Sequence, residues 1–301
     1  MRALYIGIAA LISTPVAESL AASAEPENWS YSVTATALQG RRADLDTGGK
    51  TRLTGHHFRV DGDRRINDST KLGVRLYYDI QDREFSGSEG FAALAPWDTT
   101  HRLGIAGLIR QKTRWGLSYG IRPYANLSFA SGALSEDALS YGAAMAVLAG
   151  WSKHRRLGVG VRLSRDITGS ESLSPIVLFD WKVNDDWSLS TPREANFTAP
   201  AGVEIRYTGR EHWRMALATV YDSDEVRLND DGATPARIGE SSGFLTYVRA
   251  TRRWPWGLVL NGYLGAIING DLQVNDADGS TVAKSGYDTA PFAAVSIEGN
   301  F

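Results

Sequence analysis

Apolar side chains alternate strictly with small or polar ones in stretch after stretch of this chain, and no run of about 18 apolar residues interrupts them. Leu72, Val74, Leu76, Tyr78 and Ile80 are interleaved with Gly73, Arg75, Tyr77, Asp79 and Gln81. The same two-residue period runs through Trp115–Arg122, Tyr141–Gly150, Leu157–Ser164, Ala201–Thr208 and Trp256–Gly265. A strand sends successive side chains to opposite faces, so each of these segments has one apolar face and one small or polar face. The stretch near Thr51 to Val60 alternates poorly, and the segment from Trp187 to Thr191 is short and followed by Pro192. Helical membrane spans are excluded, and a clean helical stripe is found only at the N-terminus.

There, Met1-Arg2 precedes the apolar run Ala3–Ile12, Pro15 breaks it, and Ala22-Ser23-Ala24 fits a secretory cleavage rule. Residues 1–24 are therefore expected to be a signal peptide and residues 25–301 the mature barrel. With 0 Cys among 301 residues, a disulfide scaffold, a Cys-ligated zinc site, a thiol enzyme and a lipid-anchored Cys are excluded. The near balance of 32 Lys+Arg and 34 Asp+Glu removes any global pull toward nucleic acid.

A soluble sandwich would also alternate. Three features favour a closed barrel in a membrane. The strands run to about ten residues, against five or six in soluble sheets. The inward face is glycine, serine and charge, a poor dry core. The connections alternate in length. Short basic turns lie at Asp61–Lys71, Arg110–Arg114, Ser152–Arg155, Asn184–Asp186, Gly209–Glu211 and Arg249–Pro255. Longer acidic connections lie at Arg41–Lys50, Arg83–Thr99, Ser131–Asp137, Asp222–Glu240 and Gly270–Asp288. Six short turns with both chain ends on one side give an all-β, transmembrane, antiparallel up-and-down barrel of about 14 strands, with 12 or 16 as alternatives.

Tryptophan supports the same register. Trp115, Trp151, Trp187, Trp213 and Trp256 stand within a few residues of short turns, as do Trp181 and Trp254; Trp29 opens the first strand at the same level, and only Trp97 falls in a long connection. Indoles favour a membrane–water interface, so the first five are expected to form one girdle.

The chain ends Pro291-Phe292-Ala293-Ala294-Val295-Ser296-Ile297-Glu298-Gly299-Asn300-Phe301, with Ala293, Val295 and Ile297 on one face and Phe301 terminal. This resembles the closing strand of bacterial outer-membrane β-barrels. The resemblance implies an assembly signal at Phe301 read by the barrel assembly machinery, with outer-membrane lipid and lipopolysaccharide as surroundings. Gly299 departs from the aromatic usual at its position. Val226-Arg227-Leu228, Ile238–Ser242, Gly262–Gly265 and Gly270-Asp271-Leu272 are similar to a narrower barrel group of unknown function, which implies no activity.

Within the barrel, Arg75, Asp79, Arg122, Arg162, Glu204, Arg206 and Glu298 fall on the small or polar face. A charge near the lipid midplane costs about 2–4 kcal/mol for Arg or Lys, so these residues are expected to line the lumen. His56 and His57 point to opposite faces, and His154 and His212 sit in turns. His101, near Asp98 and Thr99, is the best remaining candidate for catalysis, but no hydrolase motif surrounds it. Asp276-x-Asp278-Gly279 and Asn229–Gly232 lack the Glu that completes a calcium loop and read as turns. No catalytic residue, metal site or cofactor is assigned. The expectation is a passive channel for small hydrophilic solutes, with a closed structural or adhesive barrel and a lipid-modifying enzyme as alternatives. Acidic long loops would give an open channel a weak cation preference.

Overall fold

The computed structural model describes residues 29–133, 137–152, 154–192, 201–210, 212–229, 237–276 and 279–301. The expected signal peptide lies outside the described residues, as do Asp278 and residues 230–232.

Fourteen antiparallel strands form the wall: β1 (Trp29–Gly40), β3 (Lys50–Arg65), β4 (Thr70–Ser86), β5 (Thr99–Lys112), β6 (Leu117–Ala130), β7 (Leu139–Ser152), β8 (Arg155–Arg165), β9 (Glu171–Lys182), β10 (Trp187–Ser190), β11 (Gly202–Arg210), β12 (Trp213–Arg227), β13 (Ile238–Arg253), β14 (Leu258–Asn275) and β16 (Ala290–Asn300). Two short strands, β2 (Ala43–Asp44) and β15 (Thr281–Tyr287), extend hairpins beyond it. Each wall strand pairs with the next, and β1 pairs with both β3 and β16, so the sheet closes on itself. Closure removes the free first and last edges, the condition for a strand protein in lipid, and the narrowest seam of the wall among the described residues is β9 to β10, paired only from Lys182 to Asp180.

The short turns fall where the sequence places them. Ile66 to Ser69, Thr113 to Gly116 and Trp254 to Gly257 are tight reversals held by backbone hydrogen bonds. Both described chain ends lie at this short-turn end: Trp29 stands opposite Arg64, and Phe301 exchanges backbone hydrogen bonds of 2.9 and 3.0 Å with Tyr31. The first and last short turns are shorter than expected, because Asp61 to Arg65 stay in β3 and Arg249 to Arg253 stay in β13. The last long connection is largely strand: β14 continues to Asn275 and β15 returns along it.

The outward face is apolar over the middle of the wall. Val74, Leu76, Leu103, Ile105, Val147, Val159, Leu217, Val248 and Val295 all leave it uncovered. The inward face departs from the expectation of small and polar residues only. Leu38, Leu245, Tyr247, Tyr263, Ile267, Phe292 and Ala294 point inward from β1, β13, β14 and β16 and pack as a buried core. The core continues into the connections at the loop end. There α1 (Gly90–Leu94) inserts Phe91, which packs with Phe85 and Trp97 at ring separations of 5.8 to 6.0 Å. Burying this apolar surface stabilises the loop end as it would a soluble core.

This also accounts for the poor alternation of β3. Phe58 and Val60 face outward in its lower half, whereas Leu53 faces inward against the core in its upper half. The strand leaves the apolar belt and enters the packed loop layer, and the sense of its apolar face reverses. Gly90 serves the same layer. Its φ is +55°, and a Cβ there would stand 2.0 Å from the Thr47 carbonyl oxygen, so α1 docks on the first long connection only with glycine.

Candidate functional site

All seven charged residues expected in the lumen lie on the inward parity of their strands, six of them beside an exposed apolar neighbour such as Val74, Ile121, Val161, Val203, Ile205 or Ile297, and Asp79 between the half-buried Tyr78 and Ile80. The structure brings six of them into two groups on opposite sides of the barrel and sets Asp79 between the groups.

The first group centres on Glu204, which is 0% exposed. Its Oε1 accepts hydrogen bonds from Arg206 Nη2 at 2.6 Å and Nε at 3.1 Å. Its Oε2 lies 3.0 Å from Nη2 of Arg249, a β13 residue 1% exposed. The row neighbours of Glu204 are Ser190 and Ala218, small enough to admit the guanidiniums. Tyr247 and Tyr263, with rings 5.6 Å apart, and a Thr251-to-Asn261 hydrogen bond of 2.7 Å fill the same side.

The second group follows β3, β4, β6 and β8. Asp61 bonds Arg59 Nε at 2.7 Å and Arg75 Nε at 2.6 Å. Arg122 stands within electrostatic reach of Arg75 and Arg162, and Glu298 within reach of Arg59. Arg122 and Arg162 occupy one row, joined through Ala144 of β7. Neither forms an ion pair with a described residue, and neither has a buried unpaired nitrogen.

Between the groups, the walls touch near the loop end. Asp79 bonds His57 Nδ1 at 3.0 Å and lies 4.0 Å from Arg102, which in turn pairs with Asp224 of β12. Arg83 donates to Ser241 of β13 at 2.9 Å. Phe129 forms a parallel bridge with Arg227, although β6 and β12 stand six strands apart around the wall. Two small cavities of roughly 30 and 40 Å³ flank this partition, sharing Leu53, Gln81, Arg83, Asp224 and Ser241.

The partition divides the lumen unequally. Inward residues of β1, β13, β14 and β16, and of β12 up to Val220, are mostly buried, whereas those of β7, β9 and most of β6 and β8 are half-buried or exposed. Gly142, Ala144, Ala146, Gly160, Ser164 and Ser174 stand on this second wall, together with the larger Leu148, Ile176, Leu178 and Asp180. The open space therefore lies against β6 to β9, where Arg122 and Arg162 stand.

His101 faces outward near the loop end. Its Nδ1 is 2.9 Å from Tyr78 Oη, its Nε2 is 3.2 Å from Ser131 Oγ, and its ring packs against Phe129 at 5.5 Å. Among the described residues neither nitrogen bonds a carboxylate, the group that orients the histidine of a Ser–His hydrolase. Asp276 Oδ1 accepts from Ser280 N at 2.8 Å, a turn.

Trp115, Trp187, Trp213 and Trp256 stand exposed at the short-turn end, and the Trp151 side chain lies outside the described ones. Trp213 carries Arg252 over its ring at 5.4 Å. Phe301 is 74% exposed, and its ring lies over Gly299, where a Cβ would meet it at 3.2 Å. The terminal aromatic thus covers the site left bare by the missing one.

No protein-family model matches the chain, and neither does any curated protein. Among solved structures, an outer-membrane channel from Pseudomonas putida F1 is similar over 92% of this chain and 97% of its own, at 10% identity and a TM-score of 0.50. The two share a fold. A deltaS2 mutant of the TodX monoaromatic hydrocarbon channel matches at 7% identity over 92% of this chain and 91% of its own, TM-score 0.49. The KdgM porin in complex with disordered oligogalacturonate matches at 10% identity over 89% of this chain and 99% of its own, TM-score 0.35. These two are more distant and add nothing to the fold.

Proposed function

We propose that this chain is a passive channel for small hydrophilic solutes in a bacterial outer membrane, reached after export and removal of residues 1–24. The observation that carries the reading is the two-sided wall. An apolar belt faces outward from a closed 14-stranded barrel, while the inner wall from β6 to β9 bears glycine, alanine, serine and unpaired arginine instead of a packed core. The short-turn end is then periplasmic, with Trp115, Trp151, Trp187, Trp213 and Trp256 as its interfacial girdle and Phe301 as the signal met by the barrel assembly machinery. Arg75, Asp79, Arg122, Arg162, Glu204, Arg206 and Glu298 line the lumen. Lipid and lipopolysaccharide surround it, and the reading assigns no catalytic group, metal or cofactor.

A closed structural barrel is the second reading. It is favoured by the packed loop end and by the bridges from Arg102 to Asp224 and from Arg83 to Ser241. Conductance of the refolded chain in planar bilayers separates the two. Discrete single-channel steps support the channel, and a silent bilayer with correctly inserted protein supports the closed barrel.

A further inference from the structure

We infer that the conducting path runs beside β6 to β9 and carries a binding station for small organic carboxylates, formed by Arg122 and Arg162. This rests on the channel reading and deepens it. The packed half of the lumen offers no path, because Glu204, Arg249, Tyr247 and Tyr263 fill it at 0 to 2% exposure. What remains is the space facing the small-residue wall.

Arginines dominate the charge around that space, with Asp61 and Glu298 near Arg59 and Asp180 of β9 opposite Arg156 as the acids. Arg75 lies within electrostatic reach of Arg59 and Arg122, and Arg162 within reach of Arg122, while Asp61 pairs directly with Arg59 and Arg75 and acts on Arg122 from farther off. Neither Arg122 nor Arg162 forms an ion pair with a described carboxylate. Their backbones stand two strand spacings apart, about 10 Å, so both side chains are long enough to meet on one anion. Ala144 stands between them in the row and keeps the approach clear.

Guanidinium presents a planar fork that fits a carboxylate through two parallel N–H···O bonds. Beside it, Tyr124 brings its hydroxyl near Gly142, and Ser174 of β9 pairs directly with Arg162. A carboxylate held by the pair thus meets hydroxyl donors along its polar body. Low-dielectric walls bearing one sign of charge also concentrate counter-ions. The lumen then opposes the weak cation preference expected from the acidic loops and overrides it, because solutes pass closer to these arginines than to loop acids screened by salt.

The test uses the full refolded chain in planar bilayers, with a KCl gradient and with succinate as the carboxylate probe. The zero-current potential is expected on the chloride side, and succinate is expected to reduce the current. Arg122→Ser/Arg162→Ser should move the potential toward potassium and weaken succinate block about tenfold per arginine, the worth of one charge-assisted hydrogen bond. Ala144→Glu, which removes no arginine, should neutralise the station from within and covers the case in which the double variant fails to fold. Conductance with cation preference, or with both variants behaving as the parent, overturns the station and leaves the channel standing. A silent bilayer overturns the channel reading and the station with it.

Discussion

Replacing Glu204 with Gln removes the negative charge on which the guanidiniums of Arg206 and Arg249 converge. Glu204 is 0% exposed and Arg249 1%, so water cannot take over the lost interaction. Breaking a buried ion pair from one side costs about 3–5 kcal/mol, because the surviving charge stays buried. At 1.36 kcal/mol per decade, even the lower figure shifts the folding equilibrium more than about a hundredfold. Reversible guanidinium unfolding in detergent, followed by tryptophan fluorescence, reads this as a fall in the midpoint at constant slope. Glu204→Leu/Arg249→Met should recover most of the loss, since apolar residues of similar volume often match a buried pair. A change below about 1 kcal/mol for Glu204→Gln would refute the reasoning, because that is the scale of a solvated surface pair.

Leu76→Arg, on the outward face beside inward Arg75, should cost about 2–4 kcal/mol in vesicles; equal stability would mean that the apolar belt does not meet lipid. Gly104→Ala puts a Cβ 2.2 Å from the Tyr77 ring and should cost about 1–3 kcal/mol by unfolding midpoint, while the adjacent Ala106 tolerates serine. Phe91→Ala empties a site only 2% exposed and should cost about 3–5 kcal/mol, read by the same unfolding assay. In the turn after β9, the Asp185 carboxylate accepts a 2.7 Å hydrogen bond from Lys182, which holds its pKa below the ordinary carboxylate value. A depressed folded-state value means that this contribution is present above the unfolded pKa and fades as pH falls through the folded one. Carboxyl NMR should show Lys182→Met returning Asp185 to the ordinary range.

The wall was legible because lipid permits one solution. Val74, Leu76, Val159 and Ile205 must face outward if Arg75, Gly158 and Glu204 are to avoid lipid, and that parity alone fixes the inward set. The same reasoning extends to Leu103-Gly104-Ile105-Ala106, which places Arg102 inward, although its partner Asp224 comes from across the lumen and no local pattern announces it. Arg249 and Asp61 were hidden for a different reason. Both sit near basic turns, where strand and turn share one composition. The packed loop end was hidden because parity says which face a residue takes and not what fills the space beyond. Tyr247, Tyr263, Ile267 and Phe292 belong to ordinary alternating strands, and only the three-dimensional wall shows that they meet.

The hydrogen bonds between Phe301 and Tyr31 have a kinetic consequence. They join residues 270 positions apart, nearly the greatest separation the described chain allows, so this seam is the contact with the largest closure entropy to overcome. Until it forms, β1 and β16 are open edges, each presenting unpaired N–H and C=O groups over about ten residues. Nothing earlier in the chain can substitute for β16, because β1 already has β3 on its other side. Barrel closure is therefore gated by the β1–β16 seam, and a barrel in which it has not formed carries two templates for aggregation. An escort that occupies those edges until closure would act on rate alone, leaving the stability of the finished barrel untouched.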